Sequence, residues 1–295
     1  MITVNALTKR FGSLTAVDGI SFSVPAGSLF GLLGPNGAGK STTINMMVGA
    51  LAPDGGTVKI DGSHDPTQPS VRLGIGNAPQ ALAIYEDLTA EENLAFFGRL
   101  YGLSGKRLKE RVQFCLEFAG LTGRKSDRVG NYSGGMKRRL NMSCAIVHDP
   151  PLILFDEPTA GVDPQSRYLI FDQIDRLRRE GRTIVYTTHY MEEAQRLCDT
   201  VAIIDYGKIL ELDSVRNLIS RHGGTAVITA EIENIPEGRS LPGVVQEGHL
   251  RFESHTPLED VARLHAQGVA FRTLKVENPD LESVFLNLTG RRLRD

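Results

Sequence analysis

No stretch of this sequence approaches the ~20 consecutive apolar residues needed to span a bilayer. Its start, MITVNALTKRFG, has no apolar core of signal-peptide length. On these absences the chain is expected to be soluble and cytoplasmic, neither crossing a membrane by itself nor exported. Cysteine is scarce: Cys115, Cys144 and Cys198 are three in number, with no Cys-x-x-Cys pair among them. That excludes a disulfide framework and points to buried thiols in a reducing compartment. Excess charge is lacking too, with a net charge of −2 and a pI of about 6.4. Nucleic-acid binders carry a basic excess or stripe, so no nucleic-acid partner is expected. The one short basic run, Lys137, Arg138 and Arg139, reads as a solvated helix face.

What remains is ample for a sizeable folded core. The 295 residues are 41% hydrophobic and 23% charged, enough for one large domain, or for one plus a small one. The opening third carries strand signals at 20–24, 28–34 and 57–62. From 89 to about 147 the pattern is helical, introduced by the capping box Thr89-Ala-Glu-Glu92. Apolar strands at 151–158, 183–189 and 200–207 alternate with helices, one of them running from Pro164 to Glu180 with Gly181 as its stop. That order predicts a mostly parallel α/β sheet with a β-rich beginning. Composition shifts near residue 221. The expectation is a main domain over 1–220 and an accessory α+β domain over 221–295, with strands at 225–233, 244–254 and 271–277. A second capping box is expected at Thr256-Pro-Leu-Glu259, and a last helix after Asn278-Pro279.

The chemistry sits in short motifs. Gly34-Pro35-Asn36-Gly37-Ala38-Gly39-Lys40-Ser41 fits the phosphate-loop pattern in full, between a buried strand and the helix that begins at Thr42. Its backbone N–H groups close around phosphates, Lys40 adds a point charge at the β/γ oxygens, and Ser41 is placed to hold Mg²⁺. The apolar strand PLILFDEP ends in Asp156-Glu157. Carboxylates there face the carboxyl edge of the sheet, where open α/β folds bind ligands. Asp156 would orient the metal and Glu157 would polarise an attacking water, a base contribution of typically 10²–10⁴-fold. His189 closes the β-rich run TIVYTT and could hydrogen-bond a γ-phosphate. Gln80 could reach the metal with its amide oxygen. Phe11 reads equally as core packing or as a stacking platform for adenine, and Asp163 as a helix cap. Ser133-Gly134-Gly135 opens a further helix and forms a second anion cradle. In a chain with one phosphate loop, that cradle is redundant.

Taken in order, these pieces resemble the ATP-binding cassette ATPases. KRFG resembles their adenine-stacking loop, GPNGAGKST with Thr42 their Walker A, and NAPQ the Q-loop. NYSGGMKRR resembles the signature, LILFDEP Walker B, AGVDP with Asp163 the D-loop, and TTHYMEEA with His189 the switch histidine. The match runs from residue 1 to about 215, with Tyr132 and Met136 as departures inside the signature. The resemblance implies a P-loop NTPase fold with a helical subdomain and a small C-terminal extension. It also implies ATP and Mg²⁺ as ligands and a head-to-tail pair in which Ser133, Gly134 and Gly135 close on ATP held by the other copy's Lys40. The YSGGM and THYMEEA forms, and the ending PDLESVFLNLTGRRLR, are similar to the ATPase subunits of ABC-2 exporters of drugs, antibiotics, lipids or polysaccharides, including the daunorubicin-resistance group. Such a subunit works peripherally on the inner face of the cell membrane through a separate integral permease. An importer ATPase is the alternative, since the same cassette serves both directions. Soluble repair or chromosome ATPases carry coiled coils or cysteine pairs between Walker A and the signature, and neither is present here. Tyr85, Phe96, Phe97 and Tyr101 could line a groove for a permease helix; at least two of the four are expected in the core.

Overall fold

The structure, a computed structural model, describes residues 1–234 and 240–291. It divides into two compact units, the first over Met1–Val215 and the second from Arg216 onward. The division thus falls a few residues before the 220/221 boundary drawn from composition. Residues 292–294 of the C-terminal motif lie outside the described residues.

The first unit holds two sheets. The larger runs Ile75–Ala78, Leu152–Asp156, Thr183–Thr188, Leu29–Leu33, Thr200–Asp205, Lys208–Ser214 in spatial order. The first five are parallel and the last pairs antiparallel. Leu29–Leu33 and Leu152–Asp156 are buried at every position, which is why they read as unbroken apolar runs rather than alternating ones. The smaller sheet is antiparallel, in the order Leu14–Val24, Ile2–Phe11, Gly55–Ile60. One core joins the two: Val17, Phe22 and Ile60 from the small sheet pack in a cluster with Phe30, Leu32, Leu154 and Val185 from the large one. Phe22 stacks on Phe30 with ring centres 5.0 Å apart.

The parallel order places the site. Leu29–Leu33 and Leu152–Asp156 are separated only by Thr183–Thr188, with Leu33 opposite Thr188 and Asp156 opposite Thr187. The phosphate loop, the carboxylate pair and His189 therefore leave three neighbouring strands at the same edge.

Three helices, Ala90–Leu100, Gly105–Ala119 and Gly134–Ile146, fill the expected helical region. The Thr89 capping box is complete: Glu92 N donates to Thr89 Oγ1 at 3.1 Å, and Thr89 N donates to Glu92 Oε2 at 2.8 Å. The second expected box does not form. Thr256 N donates to Ser254 Oγ at 2.9 Å, and Ser254 in turn donates to Asp260. The cap N–H is already satisfied, so Glu259 has nothing to bond; Pro257 does begin the helix Pro257–Ala266. The second unit is an antiparallel sheet, Val244–Gln246, His249–Ser254, Ala226–Asn234, Ala270–Glu277. Ile228, Leu250, Phe252, Leu264 and Val269 form its core.

The basic run is a correction. Arg138 and Arg139 are buried rather than solvated: Arg139 Nε donates to Ala119 O at 2.9 Å, satisfying a helix C-terminal carbonyl. Lys137 pairs with Glu86 at 2.7 Å. The aromatic quartet is a second correction. Tyr85 is 50% exposed and packs edge-on against half-buried Phe96, while Phe97 and Tyr101 are also half-buried. None belongs to the core, because the helix Ala90–Leu100 turns Asn93, Leu94 and Gly98 inward instead. The three cysteines are buried as expected, and burial pushes the Cys115 thiol up to about 12.

His148 stacks on Tyr101 with ring centres 3.5 Å apart, and Nε2 lies 3.2 Å from Ile75 O. Burial holds its pKa down at about 4, against 6.5 ordinarily. Between those values the unfolded chain binds a proton that the folded chain refuses, so stability is lost as pH falls. His148→Phe keeps the ring and removes the proton. Its unfolding free energy should therefore differ less between about pH 7.5 and about pH 4.5 than that of the parent, measured by denaturant titration. An equal difference contradicts the assignment.

Candidate functional site

The loop after Leu29–Leu33 is shaped by close backbone approach. A Cβ on Gly34 would lie 2.0 Å from Ile204 O. Gly39 has φ +104, and a Cβ there would lie 2.4 Å from Ala16 O. Only glycine fits either position. Ala38 N donates to Pro35 O at 3.2 Å and Ala38 O accepts from Gly207 N at 3.0 Å, which pins the loop to the neighbouring strand turn. Lys40 opens the helix Lys40–Met47, followed by Ser41 and Thr42.

Lys40 is 4% exposed and fully engaged. Its Nζ donates to Gly34 O at 2.8 Å and Pro35 O at 3.0 Å, and pairs with Glu157 Oε1 at 3.1 Å. Gln80 Nε2 donates to Glu157 Oε2 at 3.1 Å. His189 Nδ1 lies 3.2 Å from the same oxygen without hydrogen-bond alignment and has no other protein partner among the described residues. Lysine, glutamine and histidine thus converge on one carboxylate.

Glu157 itself has φ +45, a strained value for a residue with a side chain. Its N–H donates to Thr187 Oγ1 at 3.0 Å and Thr187 O at 3.2 Å, and Thr187 Oγ1 donates to Asp156 Oδ1. The sharp turn sends the two adjacent acids to different partners, Asp156 to the strand beside it and Glu157 to the phosphate loop.

A cavity of about 520 Å³ opens on this cluster, walled by Phe11, Asn36, Gly37, Gly39, Lys40, Ser41, Thr42, Gln80 and Glu157, together with Leu14 and Ala16. Phe11 is 50% exposed at its rim, so it is not a core residue. Its volume falls in the range of small-molecule sites. The wall does not include Ser133, Gly134, Gly135 or Asp163. Ser133 and Gly134 are exposed, with Gly135 buried behind them. Ser133 Oγ accepts from Met136 N at 3.3 Å as the N-cap of Gly134–Ile146, so the positive end of that helix faces outward. Asp163 caps Pro164–Arg179 by accepting from Ser166 N at 2.9 Å; those hydrogen bonds hold its pKa below the usual carboxylate value.

Arg138 braces the site, although the sequence marks it only as part of a basic run. It donates to Gln80 O at 2.6 Å and to Ala160 O at 3.3 Å, tying the helix begun by Ser133 to the turns that carry Gln80 and Glu157. Burial lowers its pKa, while Asp156 and Glu157 act the other way. Only its place one helical turn inside the cradle, by i, i+4 spacing, hinted at this. Thr187 left no sequence signal beyond lying in an apolar strand.

The family model described as "ABC transporter" matches residues 17–160. The Linearmycin resistance ATP-binding protein of Bacillus subtilis (strain 168) is 41% identical, with 100% of each chain covered. The Nod factor export ATP-binding protein I of Ralstonia nicotianae is 40% identical, covering 100% of this chain and 95% of that one. Among solved structures, an ATP-binding subunit of an ABC transporter superposes with TM-score 0.68 at 29% identity, covering 76% of this chain and 93% of that one. A dimeric ATP-binding cassette in a post-hydrolysis state with ADP and Pi superposes at 0.67 with 25% identity, covering 72% and 98%.

Removing the lysine removes the cation from the cavity. Lys40→Ala should weaken ATP binding at least about tenfold, the loss of one charge-assisted contact, read by equilibrium binding of a fluorescent ATP analogue. Unchanged affinity contradicts the placement of phosphate in this loop.

Proposed function

The chain belongs to the ABC transporter family, and from that premise we propose that it is the ATP-hydrolysing subunit of an ABC-2 type exporter, working with a separate membrane permease. It is an ATPase of that family; the export direction is supported by the name of the Nod factor export relative, and a resistance role in the linearmycin relative's name accords with it. The observation that carries the reading is the convergence of Lys40, Gln80 and His189 on Glu157, with Lys40, Gln80 and Glu157 in the wall of one cavity.

The residues present fit Mg²⁺: Ser41 and Gln80 stand in the cavity wall with a hydroxyl and an amide oxygen, and Asp156, next to Glu157 in the chain but outside that wall, adds a carboxylate, all hard donors that suit the ion. When bound, Mg²⁺ neutralises charge on the β- and γ-phosphate oxygens. Lys40 binds the same oxygens, replacing its present contacts to Gly34 O, Pro35 O and Glu157. Glu157, released from the lysine, accepts a proton from the attacking water. His189, on the other side of Glu157, donates to the γ-phosphate and holds its position. Phe11 stacks on adenine at the rim. Asp163 holds the start of its helix beside the subunit contact.

The exposed Ser133-Gly134 helix tip completes the site from a second copy. The tip is exposed and lies outside the wall of the cavity around Lys40, which supports its meeting a phosphate held by a partner chain. No helix among the described residues is long and apolar enough to cross a membrane, and the half-exposed Tyr85, Phe96 and Phe97 cluster supplies an aromatic face for a permease helix. Attachment to the inner membrane face follows from that contact.

Glu157→Gln should bind ATP yet hydrolyse it at least about 10²-fold more slowly, and so accumulate as an ATP-bound dimer. Size-exclusion with ATP, in the presence of the membrane subunit that co-purifies with the chain, reads this. A variant that stays monomeric under those conditions contradicts the two-copy site.

A further inference from the structure

Glu193 lies outside the cavity wall and is 0% exposed. Three hydroxyls donate to its Oε2: Thr159 at 2.9 Å, Tyr186 at 2.8 Å and Thr188 at 2.8 Å. Arg167 Nε lies 3.7 Å from Oε1, too far for a hydrogen bond, and neither atom has another hydrogen-bond partner among the described residues. Burying a carboxylate is costly unless it is hydrogen-bonded and paired. Four groups from three different segments supply that compensation here.

Those segments are the ones that carry the chemistry. Thr159 stands two residues after Glu157, in the turn closed by Ala160 N donating to Glu157 O at 3.1 Å. Thr188 stands immediately before His189, and its Oγ also accepts from Tyr190 N at 2.9 Å, closing the turn around the histidine. Arg167 belongs to the helix capped by Asp163. It pairs with Glu192 at 2.9 Å and lies over the Tyr190 ring at 4.9 Å. Burial and the charge of Glu193 push the Tyr186 hydroxyl well up, so it stays a donor. Each hydroxyl has one acceptor in common with the others, and that acceptor is a single carboxylate oxygen.

We propose that Glu193 is a positioning residue for ATP hydrolysis: its buried carboxylate locks the Glu157 turn and the His189 turn in one mutual placement. The proposal rests on the roles given above to Glu157 and His189, since Glu193 acts only through them. Displacing a catalytic group by about 1 Å can cost on the order of 10²-fold in rate. A lock on geometry therefore shows in turnover and not in ATP affinity, which the phosphate loop and Phe11 set.

The test uses the full chain in its ATP-hydrolysing assembly with the permease. Glu193→Ala is expected to lower kcat roughly 10²-fold, with the ATP KM within about twofold. Glu193→Gln retains an acceptor oxygen for the hydroxyls and is expected to recover at least about tenfold of that loss. In a His189→Ala background, Glu193→Ala is expected to cost clearly less than its roughly 10²-fold in the parent, because the part that acts through His189 is already lost while the part through Glu157 remains. A folded Glu193→Ala protein with kcat within about threefold of the parent overturns the proposal, as does a full additional loss in the His189→Ala background. Should Glu193→Ala fail to unfold cooperatively, Thr188→Val, nearly isosteric, decides: about a tenfold loss of kcat is expected, and parental kcat overturns the proposal. Glu157→Gln in the same assay keeps the two ideas apart. If it hydrolyses at the parental rate, the reading of the site fails whatever Glu193 does. If it is inactive while the Glu193 and Thr188 variants are unimpaired, only the lock fails.

Discussion

The ion pair between Lys40 and Glu157 is the interaction on which the rest of the site depends. Both groups are almost wholly buried, at 3.1 Å. Taking two charges out of water is costly, and removing one partner of such a pair typically costs about 3–5 kcal/mol. The chain meets that cost with neutral partners on each side, two loop carbonyls on the lysine and the Gln80 amide on the glutamate. On the proposed reading of the site, a ligand with phosphate oxygens displaces the lysine from the glutamate, so that binding and activation become the same event.

Strand order makes that pair possible. The two residues lie far apart in sequence, yet they leave strands separated by a single neighbour, and that neighbour ends in Thr187, Thr188 and His189. The intervening strand is therefore more than a spacer. Thr187 fixes the strained backbone of Glu157 and Asp156 together. Thr188 and Tyr186 face Glu193 on the other side. Alternate residues of one strand serve the two neighbouring acids and the buried glutamate, which follows from the period-two geometry of a β-strand.

Motif chemistry was legible because it needs particular residue types. Gly34 and Gly39 have no substitute at those backbone approaches, and an apolar strand ending in Asp156-Glu157 has few uses. Regular strands such as Leu152–Asp156 were legible for the same reason. The strand Ile2–Phe11 was not drawn, because register shifts between Val4 and Leu7 and again before Lys9 break its alternation, with Ala6 at φ +47. Ile75–Ala78 is four residues long and contains Gly76. Arg138 and Arg139 misled because a basic run looks solvated until the carbonyls that receive it are known. Glu193 was invisible as anything but one acid in a helix. Its partners come from positions 159, 167, 186 and 188, and only the fold assembles them.

On the proposed function, one triphosphate takes Lys40 from Glu157 and is closed over by a second copy. A map of the assembled complex with a non-hydrolysable ATP analogue and Mg²⁺ tests it most directly. The expected map shows Lys40 Nζ on phosphate oxygens, Glu157 parted from the lysine, and residues 133–135 of the other copy against the same phosphates. A map with nucleotide bound while Lys40 still pairs with Glu157, or with residues 133–135 of both copies facing solvent, contradicts it.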